Sequence, residues 1–369
     1  MDRLDHLDLN RATLDRQLLL RRAELPAWNA IEHLAGLQAQ APLAPYVGLW
    51  TRLADFAPDE LNDLLTERIV VRAHLMRNTV HLVTAEDYVC FRPLFQPLMD
   101  RALAGHFGAH LRGIDLDELQ AAATSALAQA PLTRGQLAER LAPRWPDHDP
   151  ASLAYAATHL LQLVQVPPRG LWGSGGQAAW FLAAAWLDDP SLSAAAPARA
   201  LEQLVLRYLG AYGPATVNDI QAWSGLSRLR EVTDRLGARL RSFTGPDGAE
   251  LLDLPDAPRP GPDAPAPPRF LPEYDNLLLS FADRSRVIPD ARPVPLPAGL
   301  GATTGTLLAD GFWAAEWTIT RGPDRAVLEI RPFGPLGMVR QDAIGAEGSR
   351  LLEFAAPAGA HDVRFSPVS

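Results

Sequence analysis

Apolar positions recur at helical spacing through much of the N-terminal two thirds of the chain. Residues 12–22, 28–40, 45–53 and 59–67 each gather their apolar side chains on one face, which predicts amphipathic helices. Two β-branched runs then alternate across 68–83 around Arg77-Asn78 and predict a hairpin resembling a wing. A further helix is predicted over 116–130. Thr133-Arg-Gly-Gln136 has capping-box spacing and opens the next, and Asp149-Pro150 supplies an N-cap and a first helical residue for another. Residues 165–173 read as a strand entering a second wing. From 199 to 254 the plan repeats: a helix to Tyr212, a break at Gly213-Pro214, a short helix to Trp223, a third opened by Ser227, and a hairpin about Pro246-Asp247-Gly248.

Residues 254–269 hold seven prolines and no apolar period, which predicts an extended, semi-rigid linker. Beyond it, alternation at 276–280, 303–308, 313–320 and 326–330 predicts strands, and 345–354 a helix. The fold class expected is α+β. Its organisation is a first winged-helix unit over 1–113, a second over 114–198, a third over 199–254, a linker to 269, and a C-terminal β-rich α+β region over 270–369.

The most informative stretch for chemistry is Gly36-Leu37-Gln38-Ala39-Gln40-Ala41-Pro42. Pro42 biases Ala41 away from the helical region, so the preceding helix should end near there. Positions two apart face opposite sides of a helix but share a side of an extended segment. Gln38 and Gln40 therefore converge on one site only if the chain unwinds. On the residues alone, a capped and solvated helix end is the plainer reading of the pair.

With LNRATLDRQLLL, LMRNTVHLV, VQVPPRGLWG, LPEYDNLLLSFADRSR and IRPFGPLG spread in order along nearly the whole chain, the Gln-x-Gln stretch resembles the signature of the AlkZ-like winged-helix DNA glycosylases. Phe281 departs from the histidine more usual at that place in relatives. The resemblance implies tandem winged helices around a concave DNA channel and a monofunctional glycosylase. Such an enzyme would excise purines alkylated at N7 or N3, including bulky adducts and interstrand crosslinks, in base excision repair or antibiotic self-resistance. Gln38 and Gln40 would be catalytic, and no metal or cofactor is implied. Alkylation leaves the base cationic, so its departure needs no added proton. Amide oxygens can then suffice by orienting water and facing an oxocarbenium-like sugar with negative partial charge.

Net charge is −9, which argues against indiscriminate coating of nucleic acid but leaves room for a basic groove. Every permanently cationic side chain is arginine, whose planar fork suits phosphates; there is no lysine. The 68–83 hairpin carries three arginines and two histidines without an acid, and Arg72 and His74 alternate onto one face. It reads either as a phosphate-contacting wing or as a strand edge protected by charge. Arg72, Arg77 and His81 there, with Arg284, Arg286 and Arg325 in the C-terminal region, are the candidate contacts to double-stranded DNA. Tyr274-Asp275-Asn276 reads equally as a nucleotide contact or a strand entrance.

Gly173-Ser-Gly-Gly176 lacks the lysine of a phosphate loop and reads as a wing tip. His106 and His110 have metal-site spacing without further ligands and read as exposed helical histidines. Trp50 and Trp172 are expected in the core. The single cysteine, Cys90, the acidic opening and the lack of a long apolar run favour a cytoplasmic, nucleoid-associated protein with no membrane partner. The rival reading is a winged-helix transcriptional regulator, which usually dimerises. No separate dimerisation helix stands out, so a monomer is expected.

Overall fold

The computed structural model describes residues 2–190, 192, 196, 199–294 and 304–367. Two compact units share the chain. The first comprises 1–57, 205–223 and 229–369, the second 58–204 and 224–228.

In the first unit, Asp5 accepts hydrogen bonds from the amides of Leu7 and Asp8 while the Asp8 carboxylate takes the Asp5 amide. This capping box starts the first helix at His6 and carries it to Arg16, several residues earlier at both ends than the apolar period suggests. Helix Ala27–His33 follows and is shorter than expected. Ala44–Trp50 lies where a helix is expected. The C-terminal sheet runs in the order Ala360–Phe365, Arg325–Pro332, Phe312–Arg321, Gly305–Ala309, Arg269–Leu271. Its neighbours are antiparallel except the first pair, which is parallel and joined through helix Met338–Ala355. Strand burial alternates residue by residue in Phe312–Arg321 and Arg325–Pro332, with Ala315, Trp317, Leu328 and Ile330 inside. Ile344, Leu351 and Leu352 form the buried stripe of the helix. Residue 303, the expected start of one strand, lies outside the described residues; the strand is seen from Gly305.

The segment 276–280 is not a strand. Asp275 accepts from the amide of Leu277 and caps a single 3-10 turn, Asn276–Leu278, so the local Asp side chain takes the backbone donor that a ladder would need.

In the second unit, strands Val70–His74 and Val80–Thr84 pair antiparallel, with Arg72 opposite Leu82. The turn between them places both Arg77 and Asn78 at positive φ, with the Thr79 amide bonded to the Met76 carbonyl, which is the requirement of a type I′ hairpin turn. On its other side Val70–His74 meets Leu163–Val166 through Arg72 and Gln165, so it is an interior strand. Leu163–Val166 continues into Ala179–Leu182, which also pairs with Leu132–Thr133. The helices Leu116–Leu127, Arg134–Leu141 and Pro150–Leu160 precede this hairpin. Thr133 and Gln136 form the expected capping box, and Asp149 caps the helix opened by Pro150. The same order of elements recurs from Ala200–Tyr212 to the paired strands Arg241–Thr244 and Glu250–Asp253, with Ala215 bridged to Leu252.

Candidate active site at the glutamine turn

Helix Ala27–His33 ends in a Schellman arrangement: the Gly36 amide bonds to the Ile31 carbonyl and the Ala35 amide to the Glu32 carbonyl. Ala35 takes φ 54° and Gly36 φ 92°. At Gly36 the missing Cβ lets the chain leave the helix in the left-handed region. It emerges as a two-residue strand, Leu37–Gln38, then bends at Gln40 and Ala41 before helix Ala44–Trp50. The chain is thus unwound well before Gln38, which is the condition for the two amides to lie on one side. Gln38 is buried at 7% exposure, Ala39 is wholly buried, and Gln40 is exposed.

Several groups hold this turn from behind. The Asn276 side-chain amide donates to the Gly36 carbonyl at 3.3 Å, and the Tyr212 hydroxyl to the Leu34 carbonyl at 3.4 Å. Ser280 Oγ donates to the Asn276 carbonyl, and the Ser280 carbonyl accepts from the Tyr208 hydroxyl at 2.7 Å. Arg52 and Asp275 form a bidentate pair, both bonds 2.9 Å, with side-chain exposures of 1% and 2%. Arg52 also donates to the Gly48 carbonyl at 3.0 Å and to the Gln17 carbonyl at 3.1 Å. Two sequence motifs about 240 residues apart are therefore one structure: the segment LPEYDNLLLSFADRSR braces the turn that carries Gln38 and Gln40. Tyr274, just before Asp275, takes φ 61°, a strained conformation for a bulky residue.

The bracing residues Arg52, Asp275, Asn276 and Tyr212 are not marked by the pattern of the chain. Only the polar triplet 274–276 inside an otherwise apolar stretch points at them. Its orientation is inward: Asp275 and Asn276 are buried, so this pair belongs to the support of the turn.

The candidate cations separate into two kinds. Arg286 is a correction to the expected DNA contacts: it is 4% exposed, donates to the Pro214 carbonyl at 2.7 Å and to Thr13 Oγ1 at 3.4 Å, and lies over the Phe281 ring at 4.2 Å. Burial lowers its pKa, and the nearby Asp219 carboxylate opposes that shift. Arg72 is likewise buried, at 2%, and donates to the Arg169 carbonyl at 3.1 Å; Gly170 is glycine there because a Cβ would meet the Arg72 guanidinium at 2.6 Å. His81 has no exposed surface, and its Nδ1 donates to the Thr79 carbonyl at 3.0 Å, leaving Nε2 facing Arg77 at 3.5 Å. The strand bearing Arg72 has hydrogen-bonded neighbours on both sides, so there is no strand edge for its charge to protect.

Arg77 at the turn is half-buried, Arg284 is half-buried, and Arg325 is exposed beside Asp362. Asn78, next to Arg77, donates to His159 Nε2 at 3.0 Å, while His159 Nδ1 donates to the Tyr155 carbonyl at 3.1 Å. His74 packs edge-on to Trp180, and burial, reinforced by His159, lowers its pKa to about 3. His106 Nδ1 faces the carbonyl of Ala102 in its own helix, and His110 lies beside Phe107. Trp50 is in the core as expected, at 8% exposure, whereas Trp172 is half-buried.

Set against known proteins, the α+β architecture is that of a solved enzyme, the Streptomyces sahachiroi DNA glycosylase AlkZ, with a TM-score of 0.75, 20% sequence identity, and alignment covering 99% of this chain and 100% of that one. No curated protein matches the sequence. A family model described as DNA glycosylase AlkZ-like matches residues 31–354, most of the chain and both motifs of the glutamine site. The chain belongs to the AlkZ-like DNA glycosylase family; it is an enzyme, a DNA glycosylase, and DNA is its substrate. The regulator reading gives way to this membership. Among the described residues no helix is long and apolar enough to cross a membrane.

Proposed function

We propose that this glycosylase hydrolyses the N-glycosidic bond of purines alkylated at N7 or N3, bulky adducts and interstrand crosslinks included, and leaves the abasic strand uncut. The observation that carries the reading is the early unwinding at Ala35 and Gly36, which leaves Gln38 in a two-residue strand and Gln40 at the bend that follows, with Ala39 buried between them. Gln38, buried and held by a braced backbone, orients the attacking water. Gln40, exposed, presents its amide oxygen to the sugar.

In the reaction the bond from C1′ to the base nitrogen breaks, and its electron pair neutralises the positive charge that alkylation placed on the purine. Water adds to C1′ and releases its proton to solvent. A neutral amide is a poor general base, so the reading implies that unmodified purines, which leave only with protonation, are not released. The two amides act by position and by fixed dipoles.

In this reading the repeated helices and hairpins are winged-helix units that bind DNA. Arg77, Arg284 and Arg325 meet backbone phosphates, while Arg72, His81 and Arg286 hold the scaffold. The enzyme works as a monomer in the cytoplasm on nucleoid DNA, in base excision repair or in self-resistance. The test is base release from a duplex carrying one N7-alkylguanine, followed by chromatography of the freed base. Release by the wild type and none by Gln38→Ala or Gln40→Ala is expected; equal release by all three overturns the assignment.

A further inference from the structure

The attacking water must give up a proton, and neither Gln38 nor Gln40 can take it, since a neutral amide is a poor base. An acceptor stands in the segment that braces the turn. Residues 272–276 are fastened to residues 36–37 at both ends. At one end Pro272 and Leu37 meet over Gly48, where an added Cβ would lie 3.7 Å from Pro272 Cγ and 4.0 Å from Leu37 Cδ1. At the other the Asn276 side-chain amide holds the Gly36 carbonyl at 3.3 Å. Glu273 and Tyr274 are the residues between these two anchors, so they lie beside the turn. The positive φ of Tyr274 bends the chain there, and strain of this kind gathers at functional sites.

The neighbouring acids are committed to cations. Asp275 is paired with Arg52, Glu347 with Arg22 and Arg269, and Glu32 with Arg207. Glu273 differs. It is half-buried, and among the described residues no ion pair and no hydrogen bond from another residue reaches its carboxylate. Burial raises its pKa above the ordinary carboxylate range; its own amide and Arg321, the charged group that bears on it from another element, oppose the shift. Arg321 is itself turned to the Ala355 carbonyl, to which it donates at 3.2 Å. A carboxylate taken partly out of water without a cation costs stability, and such groups recur where a base is needed.

We propose that Glu273 is a further catalytic residue, the general base that takes the proton of the water adding to C1′. The bond from C1′ to the base nitrogen breaks, its electron pair goes to the purine, and the water oxygen bonds to C1′. The proton passes to the Glu273 carboxylate and from there to solvent. The amides place the water and the carboxylate deprotonates it. Selectivity for alkylated purines is kept, because the base acts ionised and has no proton to give the leaving purine. The inference rests on the glutamine turn being the reaction site.

The test is single-turnover release of an N7-alkylguanine from a duplex between about pH 5 and pH 8, with the spontaneous rate subtracted. Wild-type release should rise with pH through the Glu273 pKa and then level off. Glu273→Gln should release the base about a hundredfold more slowly at neutral pH, lose that dependence, and bind undamaged duplex as the wild type does. It should melt no lower than wild type at neutral pH, because a carboxyl whose pKa folding raises destabilises the folded state where it is ionised. Glu273→Ala should regain part of its rate in added formate, and Gln38→Ala should not respond. Wild-type release by Glu273→Gln overturns the proposal. So does a slow Glu273→Gln that keeps the wild-type pH dependence, a Glu273→Ala that formate does not rescue, or a clear fall in melting temperature, since the residue is then structural. Full release by Glu273→Gln beside an inactive Gln38→Ala removes this base and leaves the amide reading intact. A formate-rescued loss in Glu273→Ala beside active Gln38→Ala and Gln40→Ala keeps the base and removes the amide reading.

Discussion

The glutamine turn and the 68–83 hairpin are the two regions whose sequence suggests function, and they resolve in opposite ways. The turn has no charge, yet it breaks a helix early and brings an exposed amide, Gln40, next in line to a buried one, Gln38. The hairpin is rich in cations, yet Arg72 and His81 are buried, His74 and Arg77 are half-buried, and Arg68 at its start is exposed. The difference comes from what surrounds each backbone. A strand with hydrogen-bonded neighbours on both sides has no edge to protect, and its polar side chains serve the interior through bonds such as that from Arg72 to the Arg169 carbonyl. Charge along a strand therefore speaks to chemistry only after the strand's place in the sheet is known.

The largest effect should come from the support of the turn. Asp275→Asn leaves Arg52 buried beside a neutral amide, and loss of one partner of such a pair costs about 3–5 kcal/mol. Urea denaturation should show that loss, together with reduced base release at temperatures where the variant is still folded. A variant as stable as the wild type would mean that the turn does not depend on this pair.

Next in size is the chemistry itself. Gln38→Ala and Gln40→Ala should each lower single-turnover release of an N7-alkylguanine on the order of a hundredfold or more, the scale seen when one preorganised dipole is removed from a transition state. Affinity for the duplex should stay within a few-fold. If the variants instead lose binding and keep the rate of bound substrate, the turn is a contact surface and the contrast with the hairpin disappears.

What was legible in the chain was mostly what neighbours in sequence decide. Thr133 with Gln136 and Asp149 with Pro150 are local devices that stand where the residues place them, whereas the helix before Gln38 ends at His33 and unwinds at Ala35 and Gly36, ahead of the end that Pro42 suggests. The start of the first helix is not legible in the apolar period, because it depends on Asp5 and Asp8, a carboxylate version of the capping box. The turn at Asn276 looks like a strand in sequence because apolar residues in a row satisfy either form, and Asp275 decides between them. The burial of Arg72 and Arg286 follows from contacts more than 70 residues away in sequence, Arg169 for the one and Pro214 and Thr13 for the other, and no spacing rule reports such partners.

Within the hairpin, two arginines five residues apart should fail differently. Arg72→Ala removes a buried donor and its stem, so it should lower stability by roughly 1–3 kcal/mol and leave the salt dependence of DNA binding unchanged. Arg77→Ala at the turn should leave stability nearly intact and flatten the salt slope by about one if it meets a phosphate. Denaturation and binding isotherms on both variants check the pair. Equal slopes for Arg77→Ala and wild type would return the entire hairpin to scaffolding.

The smallest expected effect is none at all, and it concerns what the cations cannot do. Glycosylases that cut the strand after removing the base do so through a Schiff base between an amine and C1′, and the usual amine is a lysine. These 369 residues contain no lysine, so no side chain here can form it. Arginine is no substitute, because its guanidinium remains protonated and is not a nucleophile. The division between a neutral turn that acts on the glycosidic bond and arginines that only hold DNA then predicts an intact abasic strand as product. Borohydride added during turnover should trap no covalent protein–DNA adduct, and the strand should break only when alkali or a separate endonuclease follows. A trapped adduct would place an amine at C1′ and end the assignment of the chemistry to two amides.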